Sequence, residues 1–395
     1  MATSETPSAI EVSAIVDWLI DGTPPHQLPR GAITELCERL VAAGIPLLFG
    51  ASFAWTLHPN VMGGWFQWTR GRGVRMVEKD FAWLESEECR RSLWYAAADA
   101  GMPVRCRLDD PKTPADGGLL DELRGAGATD VIAIPLAALT RRVLAAAWAT
   151  DRPGGFTEPM IDALGRITRP LGRVVETHVL ERLSINLLNT YVGRSAGERV
   201  LNGTIRRGGA ETISAAIWLS DLRDSTRWAE TLPPHDYLAL LNDHFDCLVP
   251  AIERQGGEVL KYIGDGVLAI FPLETRSRDE ACRAALAAEV EARQQTAALN
   301  ARRAAARVAP IRYGLALHIG EVLYGNIGAA NRLDFTAIGP AVNLAARLGA
   351  LAGELGRDAL LSAEFAKHCP EAAEPLGAHS LRGIGRPTEV FGLKG

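Results

Sequence analysis

The stretch GEVLKYIGDGVLAIFP, residues 257–272, constrains the possible fold more than any other part of the chain. Two strand-like runs flank a Gly-Asp-Gly turn, and this pattern predicts a β-hairpin. Helical periodicity precedes the hairpin in PPHDYLALLNDHFDCLVPAIERQ and follows it in SRDEACRAALAAEVEARQQTAALNARR, and a further strand is predicted outside each helix. This β-α-β-β-α-β order predicts a ferredoxin-like core with additions over residues 212–395.

The first part of the chain predicts a second module with a different core. Seven of the nine tryptophans lie before residue 150. After an N-terminal helix or arm over residues 1–29, residues 30–168 show the order helix, strands, helix, two strands and long exit helix, which predicts an α+β sandwich. Five aromatic side chains could line a ligand pocket or could only fill the core, and both interpretations stay open: Trp55, Trp65, Trp68, Trp83 and Trp94.

A helical linker is predicted between the two modules, over residues 169–211. Its first half carries apolar residues on one helical stripe. Such a stripe suits packing against a partner helix across a dimer, or against the same chain. Glycine and arginine become frequent in TYVGRSAGERVLNGTIRRGGAE, which predicts a short helix and a hinge.

Composition narrows the functional classes. The 395 residues suggest two or three domains, and the net charge of −5 offers no basic excess for nucleic acid. No apolar run reaches the length of about 18 residues that a membrane span needs, and the start of the chain lacks the basic region of a signal peptide. The six cysteines have no metal-binding or redox spacing, which predicts reduced, buried thiols. We therefore expect a cytoplasmic protein, with no membrane span and no nucleic acid partner.

Two aspartates stand at predicted strand ends. Asp221 closes the strand ISAAIWLSD, and Asp265 occupies the hairpin turn. Each acid alone would be an ordinary turn or cap residue, but the first strand and the hairpin are neighbours in a ferredoxin-like core. The two carboxylates could therefore share divalent cations such as Mg²⁺ or Mn²⁺. In the turn LRDST that follows, backbone N–H groups at Ser225 and Thr226 could bind phosphate oxygens.

A third segment, FTAIGPAVNLAARL (335–348), predicts a helix that begins near Pro340. Asn343 and Arg347 are four residues apart and share one face of this helix. An amide beside a guanidinium suits a ribose and a phosphoryl group, although such a pair alone is more often a solvated helix face.

Taken in order, IWLSDLRDST, KYIGDGVLAIF and FTAIGPAVNLAARL resemble the three signature segments of class III nucleotidyl cyclases. The resemblance covers about residues 212–395. The spacings, 44 residues from Asp221 to Asp265 and 78 residues from Asp265 to Asn343, make it specific. It implies an enzyme that forms a 3′,5′-cyclic nucleotide and pyrophosphate, with active sites shared between the two chains of a homodimer.

The resemblance also implies catalytic and metal-binding roles for matching residues. Asp221 and Asp265 would bind two Mg²⁺ or Mn²⁺ ions per active site, and the carbonyl of Leu222 would complete one metal shell. Asn343 would orient the ribose, and Arg347 would stabilise the transition state at the α-phosphate.

Substrate recognition is implied at further positions. Lys261 and Thr336 match the two purine-reading positions of the family, and one bacterial subgroup carries threonine at the second. Adenine N1 accepts a hydrogen bond and its N6 amine donates one, so a lysine and a threonine oxygen favour ATP over GTP. A basic residue near the last hairpin, Arg382 or Arg386, would hold the terminal phosphates.

Two positions depart from the family pattern. Asp224 stands where the family has glycine, and we expect its side chain to point away from the phosphates. Pro340 replaces an aspartate that is not among the catalytic residues, and proline is tolerated at a helix start. All residues that the chemistry requires are present, which argues against a degenerate cyclase.

The element order of the first module resembles a GAF-type sensor domain, in pattern and without a decisive motif. This layout implies that an unknown small molecule or protein regulates the cyclase through residues 30–168. Alternatives are a guanylyl cyclase, which Lys261 disfavours, a diguanylate cyclase, and a non-catalytic nucleotide-binding signalling module.

Overall fold

The chain divides between residues 187 and 188 into two units, Met1–Leu187 and Leu188–Gly395. Both units of this computed structural model combine helices with a sheet, as an α+β protein does. No helix in the described ranges has the length and apolar character of a membrane span. The structure describes residues 9–21, 29–58, 61–113, 118–136, 145–204, 206, 208–274, 276–329 and 331–394.

A six-stranded antiparallel sheet organises the first unit. The elements are α1 (Ala9–Asp21), α2 (Pro29–Ala42), β1 (Leu47–His58), β2 (Val61–Thr69), β3 (Gly73–Lys79), α3 (Phe81–Glu85), α4 (Glu87–Arg91), α5 (Leu93–Ala100), β4 (Val104–Arg107), α6 (Leu119–Gly125), β5 (Asp130–Pro135), β6 (Ala145–Thr150) and α7 (Glu158–Val192). The strands lie in the order β3-β2-β1-β6-β5-β4. This arrangement agrees with the predicted α+β sandwich, whereas the GAF-like identity of the unit stays a prediction.

Three short helices follow β3 because the sequence supplies a cap before each of them. The side chains of Asp80, Ser86 and Ser92 accept hydrogen bonds from the backbone N–H three residues further on. Such caps satisfy donors that a short helix would otherwise leave unpaired. The capped helices α3, α4 and α5 carry Trp83 and Trp94.

The long helix α7 runs from the first unit into the linker region without a break. Pro170 lies inside this helix, and the helix continues through it. The predicted apolar stripe begins on this helix, where Leu171, Val174 and Val175 pack against the core of the first unit. The intrachain interpretation is therefore correct for the first part of the stripe.

The second unit has an eight-stranded sheet with helices on both faces. Its elements are α8 (Arg194–Leu201), β7 (Ala210–Leu222), α9 (Ser225–Thr231), α10 (Pro234–Arg254), β8 (Glu258–Ile263), β9 (Gly266–Pro272), α11 (Arg278–Ala305), β10 (Tyr313–Ala329), β11 (Arg332–Ile338), α12 (Pro340–Glu354), β12 (Ala359–Ser362), α13 (Ala363–Ala366), a 3₁₀ turn (Pro370–Ala372), β13 (Ala373–His379) and β14 (Thr388–Leu393). The strand order is β13-β14-β12-β10-β7-β9-β8, and β11 pairs with β10.

The ferredoxin-like core is confirmed in this sheet. Its four strands β7, β8, β9 and β10 are separated by helices where the sequence predicted them, and they lie in the spatial order β10-β7-β9-β8. Alternate residues of β7 and β9 reach opposite faces. Trp218 and Ala269 pack with α10 and α11, whereas Ile217 and Ile270 pack with α8 and α12. The ends of β7 and β9 therefore project from a core that is packed on both sides.

Candidate active site

Asp221 and Asp265 lie at one edge of the sheet. Ser220 of β7 pairs with Val267 of β9, so the end of β7 and the turn before β9 are adjacent. An oxygen of Asp265, Oδ2, accepts a hydrogen bond from the backbone N–H of Leu222 at 3.0 Å. A Cβ atom at Gly266 would approach the carbonyl oxygen of Ser220 to 2.4 Å, so glycine is what lets the turn lie this close to β7.

Electrostatic repulsion acts on Asp221. Burial raises the pKa of its carboxyl group above the ordinary value, the guanidinium of Arg223 opposes the rise, and the charge of Asp265 adds to it. Arg223 Nη1 lies 3.6 Å from Asp221 Oδ2, a long contact, while Arg223 Nη2 donates to the carbonyl of Arg357 at 3.1 Å. The negative charges of these two neighbouring carboxylates are only partly neutralised by Arg223, and such a pair has the chemistry of a cation site.

Arg223 is a residue that the sequence reasoning missed. It lies two positions after Asp221, and that spacing places side chains on one face of an extended segment. The site also depends on Gly314, which pairs with Asp221 across β10 and β7. A Cβ atom at Gly314 would lie 2.2 Å from Arg223 Nη2 and 2.7 Å from Asp221 Oδ1, so a larger residue would force these two side chains to shift.

The turn after β7 explains one departure from the family pattern. Asp224 adopts the left-handed conformation, with φ of 61° and ψ of 22°. Glycine adopts this conformation without steric cost, whereas aspartate tolerates it. The side chain of Asp224 is exposed and forms no cap hydrogen bond, as expected for an acid that points outward. Ser225 and Thr226 begin α9 directly after it.

Lys261 lies on β8, which pairs with β9, and Thr336 lies on β11, which pairs with β10. Lys261 Nζ forms an ion pair with Asp334 Oδ2. Asp334 and Thr336 are two residues apart on β11, so they share one face of that strand. Thr336 is 4% exposed, and its hydroxyl has no hydrogen-bond partner among the described residues. Asp334, which the sequence reasoning also missed, ties the lysine to the strand that carries Thr336.

Asn343 and Arg347 lie on the outer face of α12. Ala341, Ala345 and Leu348 of the same helix are buried against the sheet, so the two polar side chains face away from it and are exposed. No hydrogen bond or ion pair joins either of them to Asp221 or Asp265 in the described part of the chain. Within the described residues of one chain, the acids and the amide-guanidinium pair are therefore not in direct polar contact.

Arg382 and Arg386 occupy the segment between β13 and β14, where both are exposed. Neither forms an ion pair within the described ranges. Nothing in the geometry of this segment favours one of them over the other as a phosphate ligand.

The donor set at the sheet edge fits magnesium or manganese. Within the described residues no group of three or more His, Cys, Asp or Glu side chains could hold a metal ion. Mg²⁺ does not need such a cage, because it is usually bound by one or two carboxylates together with water and substrate phosphates. Asp221 and Asp265 supply two hard oxygen ligands, and the backbone carbonyl of Leu222 is the third one we expect.

Comparisons with known proteins place this region in context. The family model for the adenylate and guanylate cyclase catalytic domain matches residues 210–357. Adenylate cyclase 1 of Rhizobium meliloti (strain 1021) is 29% identical over 181 residues, which cover 45% of this chain and 27% of that protein. Adenylate cyclase of Anabaena cylindrica is 30% identical over 206 residues, which cover 52% of this chain and 39% of that protein.

Among solved structures, the adenylyl cyclase CyaB from P. aeruginosa has a TM-score of 0.44 and 24% sequence identity, over 47% of this chain and 96% of that chain. The matched part of this chain covers 27% and 39% of the two adenylate cyclases from Rhizobium meliloti and Anabaena cylindrica, which is well under half of their length. The family match supports a class III adenylate or guanylate cyclase catalytic domain in the second unit.

Proposed function

We propose that the protein is an adenylyl cyclase, which converts ATP to 3′,5′-cyclic AMP and pyrophosphate. The observation that carries the proposal is the pair Asp221 and Asp265, adjacent at strand ends within the region that matches the cyclase catalytic domain. The family includes guanylate cyclases, so the choice of ATP rests on the purine-reading residues. A non-catalytic nucleotide-binding module is disfavoured because every residue that the chemistry requires is present.

In this mechanism two divalent ions, when bound, would lower the pKa of the ribose 3′-hydroxyl and neutralise phosphate charge. Asp221, Asp265 and the carbonyl of Leu222 would hold them. Asn343 would orient the ribose, and Arg347 would donate hydrogen bonds to the oxygens of the α-phosphate.

Ser225 and Thr226 would offer backbone N–H groups to the phosphates, and Arg382 or Arg386 would bind the terminal phosphates. The 3′-oxygen then attacks the α-phosphorus in line, and pyrophosphate leaves. The residues contribute positioning and charge stabilisation, and we assign no protein base to the hydroxyl proton.

Preference for ATP follows from hydrogen-bond polarity. Lys261 can donate to adenine N1, and the buried hydroxyl of Thr336 can accept from the N6 amine. Guanine presents an N–H at N1 and a carbonyl at C6, which reverses both requirements. The unsatisfied hydroxyl of Thr336 supports this assignment, because a buried polar group without a partner is costly and a bound purine would satisfy it.

The deciding experiment measures cyclic nucleotide formation by the full chain from ATP and from GTP, with Mg²⁺ and with Mn²⁺. We expect cyclic AMP from ATP and little cyclic GMP from GTP. Equal rates would contradict the roles of Lys261 and Thr336, and no product from either nucleotide would contradict catalysis itself.

A homodimer with shared active sites is the second part of the proposal. It is supported by the lack of any hydrogen bond or ion pair between the two acids and Asn343 or Arg347 in the described part of one chain, since both groups must reach the same nucleotide. Inactive Asp265→Ala and Arg347→Ala chains, mixed, would form heterodimers with one intact site. Equal mixing would then restore about a quarter of the wild-type activity. Heterodimers that form and stay inactive would contradict shared sites.

A cytoplasmic location, which we also propose, agrees with ATP as the substrate and with six free cysteines, which a reducing compartment maintains.

We further propose that the first unit regulates the cyclase in response to a small molecule or a protein. If regulation works through the first unit, a regulator should change the cyclase rate of the full chain and leave a 190–395 fragment unaffected. A fragment that responds in the same way would contradict this role.

A further inference from the structure

A cavity of about 360 Å³ opens in the first unit between the sheet and the short helices. Strands β2 and β3 supply one wall, and the residues of α4, α5 and the start of α6 supply the other. Its volume lies at the lower end of the range of roughly 300–1,000 Å³ that small-molecule sites occupy. None of its lining residues is a residue of the candidate active site.

Strand register shows that the cavity is built into one face of the sheet. Gln67 of β2 pairs with Ala51 of β1 and with Arg75 of β3, and Trp65 pairs with Val77. Paired residues and those two apart share a face, so these side chains all point towards α5. Trp68 belongs to the opposite face and is part of the core, while the side chain of Trp55 lies outside the described residues.

Flat aromatic rings form the apolar wall of the cavity. The rings of Trp83 and Trp94 are stacked with centroids 5.4 Å apart and an interplanar angle of 18°, and Trp65 meets Trp94 edge to face at 4.9 Å. The ring of Phe53 lies 5.5 Å from that of Trp94 and 6.4 Å from that of Trp83, and it is close to parallel with both. This packing fixes the orientation of the rings, so the wall is preformed for another flat molecule.

Polar groups with a cationic excess complete the lining. Arg75 is paired with Glu122 at 2.7 Å, and Lys79 with Glu88 at 3.2 Å. Lys79 also lies 4.7 Å from the centre of the Trp83 ring, in cation–π geometry.

Arg91 is the third lining cation, and its partner is Glu87, which is not a lining residue. Three cations against two lining carboxylates leave one positive charge. Arg91 is paired with Glu87 at 2.6 Å, but this pair is largely exposed and therefore weak, so the guanidinium can exchange it for a contact with an anionic ligand.

A buried amide gives the cavity a directional contact. Gln67 is 6% exposed, and its Oε1 accepts a hydrogen bond from Arg75 Nε at 2.8 Å. That bond orients the amide, and its NH₂ group has no hydrogen-bond partner among the described residues. The amide can therefore donate to an oxygen placed in the cavity.

We propose that this cavity binds a small planar aromatic molecule with one acidic group, such as an aromatic carboxylate. The ring would lie against Trp83 in the place that the Lys79 ammonium now occupies, and the carboxylate would accept hydrogen bonds from Gln67 and from the cationic side chains. The apolar wall and the single excess charge both point to this class, and the proposal does not rest on cyclase activity.

The test titrates the full-length protein with 2-naphthoate and with its neutral analogue 2-naphthamide, by calorimetry and by quenching of tryptophan fluorescence. We expect saturable binding of one 2-naphthoate per chain, about tenfold tighter than 2-naphthamide, the ratio that a hydrogen bond to a charged group supplies. Absence of saturable binding up to millimolar concentration, or equal affinity for the two probes, overturns the proposal.

Variants locate the binding in the cavity. Trp83→Leu should weaken binding of 2-naphthoate about tenfold, whereas Trp18→Leu, a tryptophan of α1 outside the cavity, should leave it unchanged. Leu93→Trp fills the cavity from α5 without removing a wall and should abolish binding, so it decides the matter if Trp83→Leu does not fold. Binding that persists in Leu93→Trp, or that falls equally in Trp18→Leu, overturns the assignment.

Discussion

Each unit places an aspartate at the end of a strand, and the two surroundings differ. Asp130, the first residue of β5, is completely buried. It accepts hydrogen bonds from Arg105 Nη2 at 2.8 Å and from the backbone N–H of Phe156 at 2.8 Å. Asp221, near the end of β7, has a side chain that is 51% exposed, a second carboxylate beside it, and an arginine contact of 3.6 Å.

The different surroundings make Asp130 a structural acid and leave Asp221 available to bind a ligand. The charge of Asp130 is satisfied within the protein, so it stabilises the fold and has no capacity left for a ligand. The charges of Asp221 and Asp265 repel each other, and a bound cation would remove that repulsion. The two sites therefore differ both in burial and in how fully the charge of the carboxylate is satisfied.

The largest effect is expected for Asp265→Ala. Loss of this ligand should reduce cyclic AMP formation about 1,000-fold or more with either metal, since metal binding supplies several kcal/mol of charge stabilisation. Steady-state assays of the full chain measure the loss.

Two further variants sharpen this result. Asp265→Asn keeps an acceptor for the N–H of Leu222, so equal loss in the asparagine variant assigns the effect to charge and not to that hydrogen bond. Asp243→Ala, an exposed acid on α10, serves as the control and should keep full activity. Retained activity in Asp265→Ala would remove the metal assignment.

Asp130→Ala should have its effect on stability. Removal of the buried Asp130 takes away the main partner of Arg105, which keeps a 3.4 Å contact with the exposed Glu158. The free energy of unfolding of the first unit should fall by about 3 kcal/mol. Urea unfolding followed by tryptophan fluorescence measures this change, because seven of the nine tryptophans precede residue 150. The double variant Arg105→Met/Asp130→Leu should recover part of the loss; a single variant as stable as wild type would show that the pair contributes nothing.

Sequence reasoning succeeded where a motif and the strand order determine position. Asp221 and Asp265 were placed together because the first strand and the hairpin are neighbours in a β-α-β-β-α-β core, and β7 and β9 are indeed adjacent. The outward position of Asn343 and Arg347 follows from helical periodicity and from the buried alanines of α12. These conclusions need only local periodicity and topology.

Contacts that depend on register and on side-chain packing were not predictable. Asp334 reaches Lys261 from 73 residues further along the chain, and no motif links the two. The space for Arg223 beside Asp221 exists because Gly314 pairs with Asp221 on the next strand. The cavity of the first unit required the register of β2 and β3, since the sequence showed its tryptophans without showing which of them share a face.

A smaller effect is expected for Thr336→Val, which removes the unsatisfied hydroxyl and keeps the shape of the side chain. If the hydroxyl accepts from the adenine amine, kcat/KM for ATP should fall about tenfold, and stability should not decrease because no protein hydrogen bond is lost. Thr296→Val is the matched control: its buried hydroxyl donates to the carbonyl of Ala292 at 2.9 Å, so its loss should lower stability and spare kcat/KM. An unchanged kcat/KM in Thr336→Val would contradict the purine-reading role.

The smallest effect is expected for Asp221→Asn on stability without metal. The pKa of Asp221 is raised in the folded state, first by burial and then, against Arg223, by Asp265. Its contribution to stability is therefore complete below the unfolded pKa of about 3.9 and is lost as the pH rises through the folded pKa. With EDTA present, the asparagine variant should become more stable than wild type between acidic and neutral pH, by less than about 1 kcal/mol because the side chain is half exposed. Urea unfolding at pH 4 and pH 7 measures the difference in free energy of unfolding between the two proteins. An asparagine variant that is less stable than wild type at pH 7 would place Asp221 among the structural acids. A replacement at Asp130 should behave in that way.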